Sequence, residues 1–86
     1  MDFENILAKI RRILEKLEDV LRERNLPRKA NKEQLLKNHA TLVSLYNKIH
    51  ESMKCSTKQL QYINSISNNV NAAIDVVREK NAKTRQ

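Results

Sequence analysis

Glycine is absent from the 86 residues of this chain, and Pro27 is its only proline. Tight β-hairpin turns need residues that accept a positive φ, above all glycine, so the chain offers no ready turns for a sheet. Glycine-rich nucleotide-binding loops are excluded as well, because their backbone must approach the phosphates closely. The composition therefore predicts a single all-helical domain without a nucleotide-binding motif.

Apolar residues recur in alternating steps of four and three along three segments, which is the spacing of one helix face. The three stripes are Phe3, Leu7, Ile10, Leu14, Leu17 and Leu21; Leu35, His39, Leu42, Tyr46, Ile49 and Met53; and Leu60, Ile63, Ser67, Val70, Ile74 and Val77. Neighbouring apolar residues widen each stripe; in the second segment these residues are Leu36 and Val43. Wide stripes suit helices that each contact two others.

Two short breaks separate the segments. Pro27 disfavours helical geometry in the residue before it, and Asn31 with Gln34 has the pattern of a helix N-cap and its partner. Ser56 with Gln59 repeats that pattern at the second break. Connections this short bring consecutive helices back alongside each other.

These features predict an all-α fold, an antiparallel up-down-up three-helix bundle. The expected helices span about 2–25, 32–54 and 57–80. Together they form one domain over residues 1–80, and residues 81–86 form a polar, frayed tail.

The chain carries a net charge of +7, with 17 basic and 10 acidic residues. In an up-down-up bundle, the end of the first helix, the start of the second and the end of the third share one pole. Ten basic residues gather there: Arg22, Arg24, Arg28, Lys29, Lys32, Lys37, Arg78, Lys80, Lys83 and Arg85. Helix dipoles favour cations at helix C-termini, but this does not account for Arg28, Lys29 and Lys32. The first eight of these residues, those before Lys83, form a predicted anion-binding surface for nucleic acid or an acidic membrane.

Leu45, Tyr62 and Val76 are apolar residues outside the main stripes of the second and third helices. If they line up, they form a patch against which another helix packs. They are the predicted interface for a helical protein partner or for a second copy in a homodimer. The sequence therefore favours a non-enzymatic interaction or assembly domain, expected to be the N-terminal part of a larger protein. The alternative is an anion-binding module that acts through the pole around Arg28.

Catalytic, metal-binding and cofactor-binding residues are not expected, nor is a small-molecule substrate. His39 and His50 are eleven residues apart, which separates them by about 16 Å along a helix and excludes one shared metal ion. Cys55 is the only cysteine, and a single thiol fits a reducing compartment. The first twenty residues alternate charged with apolar residues, unlike a signal peptide. An intracellular location, cytoplasmic or nuclear, is therefore expected.

Overall fold

The structure is a computed structural model that describes the backbone of residues 3–84 and the side chains of residues 3–79. Within that part the chain forms three α-helices and one 3-10 helix, and no strand. They are α1 (Phe3–Leu21), the 3-10 helix (Arg28–Ala30), α2 (Lys32–Ser52) and α3 (Thr57–Thr84). The molecule is a rod of 49 × 20 × 18 Å. The predicted all-helical, three-helix fold is confirmed.

The first connection is longer than predicted, because α1 ends at Leu21 rather than near residue 25. The Glu23 N–H donates to the Val20 carbonyl only three residues back, so the last turn tightens and the helix stops. Pro27 is extended, with φ −63° and ψ 152°, and leads into the 3-10 helix. Asn31 caps α2 as predicted, since its side chain accepts the Gln34 N–H at 3.3 Å.

The second connection contains the capping box that the sequence predicts. The Gln59 N–H donates to Ser56 Oγ at 3.1 Å, and the Ser56 N–H donates to Gln59 Oε1 at 3.0 Å. Met53, which closes α2, has a left-handed backbone with φ 57°. At its other end α3 continues to Thr84, past the predicted residue 80. The polar, frayed tail of residues 81–86 stays a prediction: the backbone is helical as far as Thr84, and residues 85–86 lie outside the described part.

The core is aliphatic and draws on all three helices. Its fully buried large side chains are Ile10, Leu17, Leu35, Leu42, Ile49, Ile63 and Val70. Glu18 Oε1 near the end of α1 lies 3.4 Å from His39 Nε2 near the start of α2. Lys9 Nζ near the start of α1 donates to Asn64 Oδ1 near the start of α3. The up-down-up order stays a prediction. In that order the end of α1 lies beside the start of α2 and the start of α1 beside the start of α3, and both contacts are consistent with it.

The buried face of α2 differs from the predicted stripe. Leu36, Val43 and Met53 were expected to face the core, but they are 50%, 41% and 65% exposed. In their place α2 buries Asn38, at 4% exposure, and half-buries Leu45. The physical reason is rotation: the buried face is centred on Leu42, and Val43, the next residue, points about 100° away. The expectation that Leu36, Val43 and Met53 belong to the core is therefore wrong.

Candidate interaction surfaces

A second line of residues at helical spacing runs along the outside of α2, apolar in its first three positions and polar in its last two, and is called here the α2 ridge. Its five residues are all exposed and follow steps of four and three: Leu36, Ala40, Val43, Asn47 and His50. The stretch 38–47, between Lys37 and Lys48, contains no Asp, Glu, Lys or Arg. Depletion of charge is typical of the centre of protein interfaces. Sequence reasoning missed this line, although its heptad spacing and the charge-free stretch mark it.

The α2 ridge adjoins a surface depression where α1 begins and α2 ends. The depression has a volume of about 410 Å³ and is lined by Phe3, Glu4, Leu7, Arg11, Tyr46, His50 and Met53. The rings of Tyr46 and His50 lie nearly parallel, at an angle of 10° with centroids 6.2 Å apart. Through His50 the ridge therefore continues into a partly apolar groove beside α1.

Asn38 is the one polar residue buried in the described part of the chain. Its Oδ1 accepts a hydrogen bond from Gln34 Nε2 at 3.0 Å, but its Nδ2 has no partner among the described residues. A buried donor without a partner costs about 1–3 kcal/mol. Asn38 shares the steps of three and four of Leu35, Leu42 and Ile49, but a polar residue on that line gives no sequence signal of burial.

The predicted interface of Leu45, Tyr62 and Val76 is only partly exposed. Leu45 and Val76 are half-buried and pack against the core, whereas Tyr62 is 54% exposed. The surrounding surface of α3 is uncharged, since residues 59–74 contain no Asp, Glu, Lys or Arg. A contact role for these three residues stays a prediction.

The basic residues of the predicted pole are exposed wherever their side chains are described. These are Arg22, Arg24, Arg28, Lys29, Lys32, Lys37 and Arg78, while the side chain of Lys80 lies outside the described part. Arg22 is engaged in an exposed ion pair, 3.4 Å from Asp19 Oδ1. The 3-10 helix packs against α3 and buries Ala30, so the cations of the connection are held against the bundle.

Three of these cations surround one surface depression of about 420 Å³ at the pole. Its lining is Glu23, Arg24, Asn25, Leu26, Pro27, Arg28 and Lys32. Residues 24–32 include four basic and no acidic residues. Glu23 is therefore the one carboxylate among the described residues that line this depression.

A third depression, of about 450 Å³, lies between α1 and α3. Its charged lining residues are Lys16, Asp19, Glu23, Asp75 and Arg78, and Val20, Ile74 and Val77 add apolar surface. Its two basic and three acidic residues bring charges of both signs together, so it does not form an anion-binding surface.

Within the described residues, no three His, Cys, Asp or Glu side chains are grouped so that they could hold a metal ion. Burial raises the pKa of the Cys55 thiol, so its reactive thiolate is disfavoured at neutral pH. None of the helices in the part of the chain that the structure describes is both long and apolar enough to cross a membrane.

Comparison of the chain with protein-family models, with curated proteins and with solved structures finds no match.

Proposed function

We propose that this domain is a non-enzymatic protein–protein interaction module whose α2 ridge is covered by a helix of another protein. The observation that carries the proposal is that α2 buries Asn38 while Leu36 and Val43 remain exposed. An isolated bundle would gain stability from the opposite arrangement, because buried aliphatic surface contributes about 25 cal/mol per Å². A helix that shares its apolar residues between its own core and a partner explains the arrangement.

The spacing of the α2 ridge indicates that the partner is helical. Leu36, Ala40 and Val43 follow the heptad steps by which packed helices interlock. From Leu36 to His50 the ridge is about 21 Å long, which is four turns of a helix. A partner helix of ordinary length covers it completely.

The net charge of +7 favours an acidic partner over a second copy of this chain. Two copies would bring like net charges together, whereas an acidic helix is attracted and approaches faster. The proposed partner is therefore an amphipathic helix with apolar residues at heptad spacing and a negative net charge. The single thiol, Cys55, supports an intracellular location for such a complex.

The test is a titration with designed amphipathic helical peptides of about four heptads, leucine at the apolar positions and glutamate elsewhere. Wild-type protein should bind such a peptide and not a version in which the leucines are scrambled. Replacing Leu36 and Val43 together by lysine should weaken binding about 10-fold or more, which corresponds to at least 1.4 kcal/mol. The matched control, S65K with N68K, adds the same charge to exposed positions of α3 and should bind much as the wild type does.

Sedimentation equilibrium of the protein alone tests the choice of partner. We expect a monomer from micromolar to millimolar concentration. A dimer that the Leu36 and Val43 variant abolishes would assign the α2 ridge to self-association and contradict the acidic partner. Absence of any peptide binding, or binding that the ridge variant leaves unchanged, would contradict the interaction module itself.

A further inference from the structure

We propose that the depression at the basic pole binds the backbone phosphates of a nucleic-acid duplex, without reading its sequence. This goes beyond the interaction module and uses a different surface, at the connection between α1 and α2. Arg24, Arg28 and Lys32 line the depression, and all three are exposed. The proposal rests on this convergence of three cations around one concave surface.

The backbone of the connection fixes the place of these cations. Pro27 restricts the chain immediately before the 3-10 helix, whose first residue is Arg28. Ala30 is buried and the 3-10 helix packs against α3, so Arg28 lies on an anchored segment, and Lys32 follows as the first residue of α2. A cation on an anchored segment loses less conformational freedom on binding than one on a free loop.

Phosphate is the anion that this lining suits best. Arginine presents a planar fork that pairs with two phosphate oxygens, and lysine adds a compact positive charge. Neutralised phosphates release condensed counterions, which provides most of the free energy of sequence-independent binding to nucleic acid. A depression of about 420 Å³ admits a phosphate together with part of its sugar.

The apolar residues of the connection favour a duplex over a single strand or a membrane. Between Arg22 and Asn31 the chain contains no aromatic residue on which an unpaired base could stack. Its apolar residues, Leu26, Pro27 and Ala30, are half-buried or buried and so are not presented for insertion into lipid. The cations are therefore the part of this surface that a partner contacts, and contacts with cations are sufficient to bind the phosphates of a duplex.

Glu23 makes the proposal more specific, because it lines the same depression as the three cations. A carboxylate beside a bound phosphate repels it. Removing that carboxylate should therefore strengthen binding. If binding depended only on the net charge of the protein, removing any other carboxylate would strengthen it equally. Glu51, exposed near the end of α2, is the matched acidic control.

The experiment measures fluorescence anisotropy of labelled 20-base-pair RNA and DNA duplexes from 50 to 200 mM salt. Three phosphate contacts predict a slope of log K against log salt near −2.7, which is a loss of about 40-fold over that range. The triple variant R24Q, R28Q and K32Q should bind weakly with a slope near zero. The control R12Q, K48Q and K58Q lowers the net charge by the same amount, from +7 to +4, and should keep most of the affinity. The variant E23Q should bind two-fold or more tighter, and E51Q should not.

Each alternative result overturns the proposal. Equal weakening by the two triple variants would assign binding to net charge rather than to the depression. Tighter binding to a 20-nucleotide single strand than to the duplex would assign it to unpaired bases. Binding to phosphatidylserine vesicles without binding to either duplex would assign the pole to a membrane. Circular dichroism of each variant establishes that it is folded, and none of these outcomes bears on peptide binding at the α2 ridge.

Discussion

The amide nitrogen of Asn38 is buried and has no acceptor among the described residues, while the amide oxygen is bonded to Gln34. Replacing both polar atoms by an aliphatic group removes the desolvation cost of the nitrogen. We expect N38L to raise the free energy of unfolding by about 1 kcal/mol, since Gln34 is only half-buried and can turn to water. Urea denaturation measures this. Destabilisation by more than about 1 kcal/mol would show that the asparagine makes a favourable contact that leucine cannot replace.

Met53 closes α2 with φ 57°, a conformation that costs most L-residues about 1–2 kcal/mol and glycine almost nothing. Its side chain is largely exposed, so little packing is lost if it is removed. M53G should therefore raise the free energy of unfolding by roughly 1 kcal/mol. The control S52G places glycine at the last residue of α2 and removes the hydroxyl that bonds to the Lys54 backbone, so it should lower the free energy of unfolding by about 0.5–1 kcal/mol. Equal effects of the two substitutions in urea denaturation would contradict the strain at Met53.

Burial raises the pKa of the Cys55 thiol, so the folded protein disfavours the thiolate that alkylating reagents attack. The alkylation rate of the native protein should therefore reach half its maximum at a higher pH than that of the protein unfolded in urea. Iodoacetamide labelling followed by mass spectrometry measures both profiles. Coincident profiles would mean that the thiol is effectively solvated in the folded state.

At the scale of single elements, the α2 ridge predicts a division of effects within one helix. Leu36 and Val43 are exposed, so replacing both by lysine should change the free energy of unfolding by no more than about 1 kcal/mol. Leu42 lies between them in sequence but is fully buried, and L42A should cost about 2–5 kcal/mol. Thermal and urea denaturation of both variants provide the comparison. A loss above 2 kcal/mol in the lysine variant would place the ridge in the core.

The same helix shows how far sequence periodicity reaches. In α1 the predicted stripe faces the core, because charged residues leave only one face apolar, and the neighbouring Ile6, Ile13 and Val20 are buried as well. In α2 the residues on either flank of Leu42 are mostly uncharged, so the pattern allows more than one rotation of the helix. Contacts with α1 and α3 decide between them, and such contacts are not encoded in the spacing of a single segment.

The candidate surfaces were predictable to different degrees. Exposure of the basic residues follows from their chemistry, and the short connections placed Arg28 and Lys32 near one pole. The depression they line depends on where α1 ends and on the 3-10 helix, and neither has a sequence signal strong enough to predict it. The α2 ridge was not predicted as a line, and two of its residues, Leu36 and Val43, were assigned to the core, since exposed and buried heptads have the same spacing.

Over the whole molecule, charge is distributed unevenly among the three helices. The outer surface of α1 is densely charged, with exposed Lys9, Arg11, Arg12, Glu15, Lys16, Glu18 and Asp19. In contrast, residues 38–47 of α2 and 59–74 of α3 carry no Asp, Glu, Lys or Arg. The rod therefore has one strongly hydrated helix and two helices with long uncharged surfaces. A partner that binds to an uncharged surface removes little water from charged groups, so the desolvation penalty is small.

The packing of the 3-10 helix on α3 has a consequence for how the domain opens. It is the contact that joins the connection between the first two helices to the last helix in the chain, so it can form only after α3 has docked. The amide of Ala30, bonded to the Pro27 carbonyl at 3.0 Å, and that of Asn31, bonded to the Arg28 carbonyl at 3.0 Å, are then sensors of that docking. We expect their hydrogen exchange to accelerate by at least 10-fold when V70A weakens α3, while the amide of Ile13 in α1 changes less. Equal acceleration at all three amides, measured by NMR, would mean that the bundle opens as one unit; selective exchange would divide it into an α1–α2 hairpin and a detachable third helix.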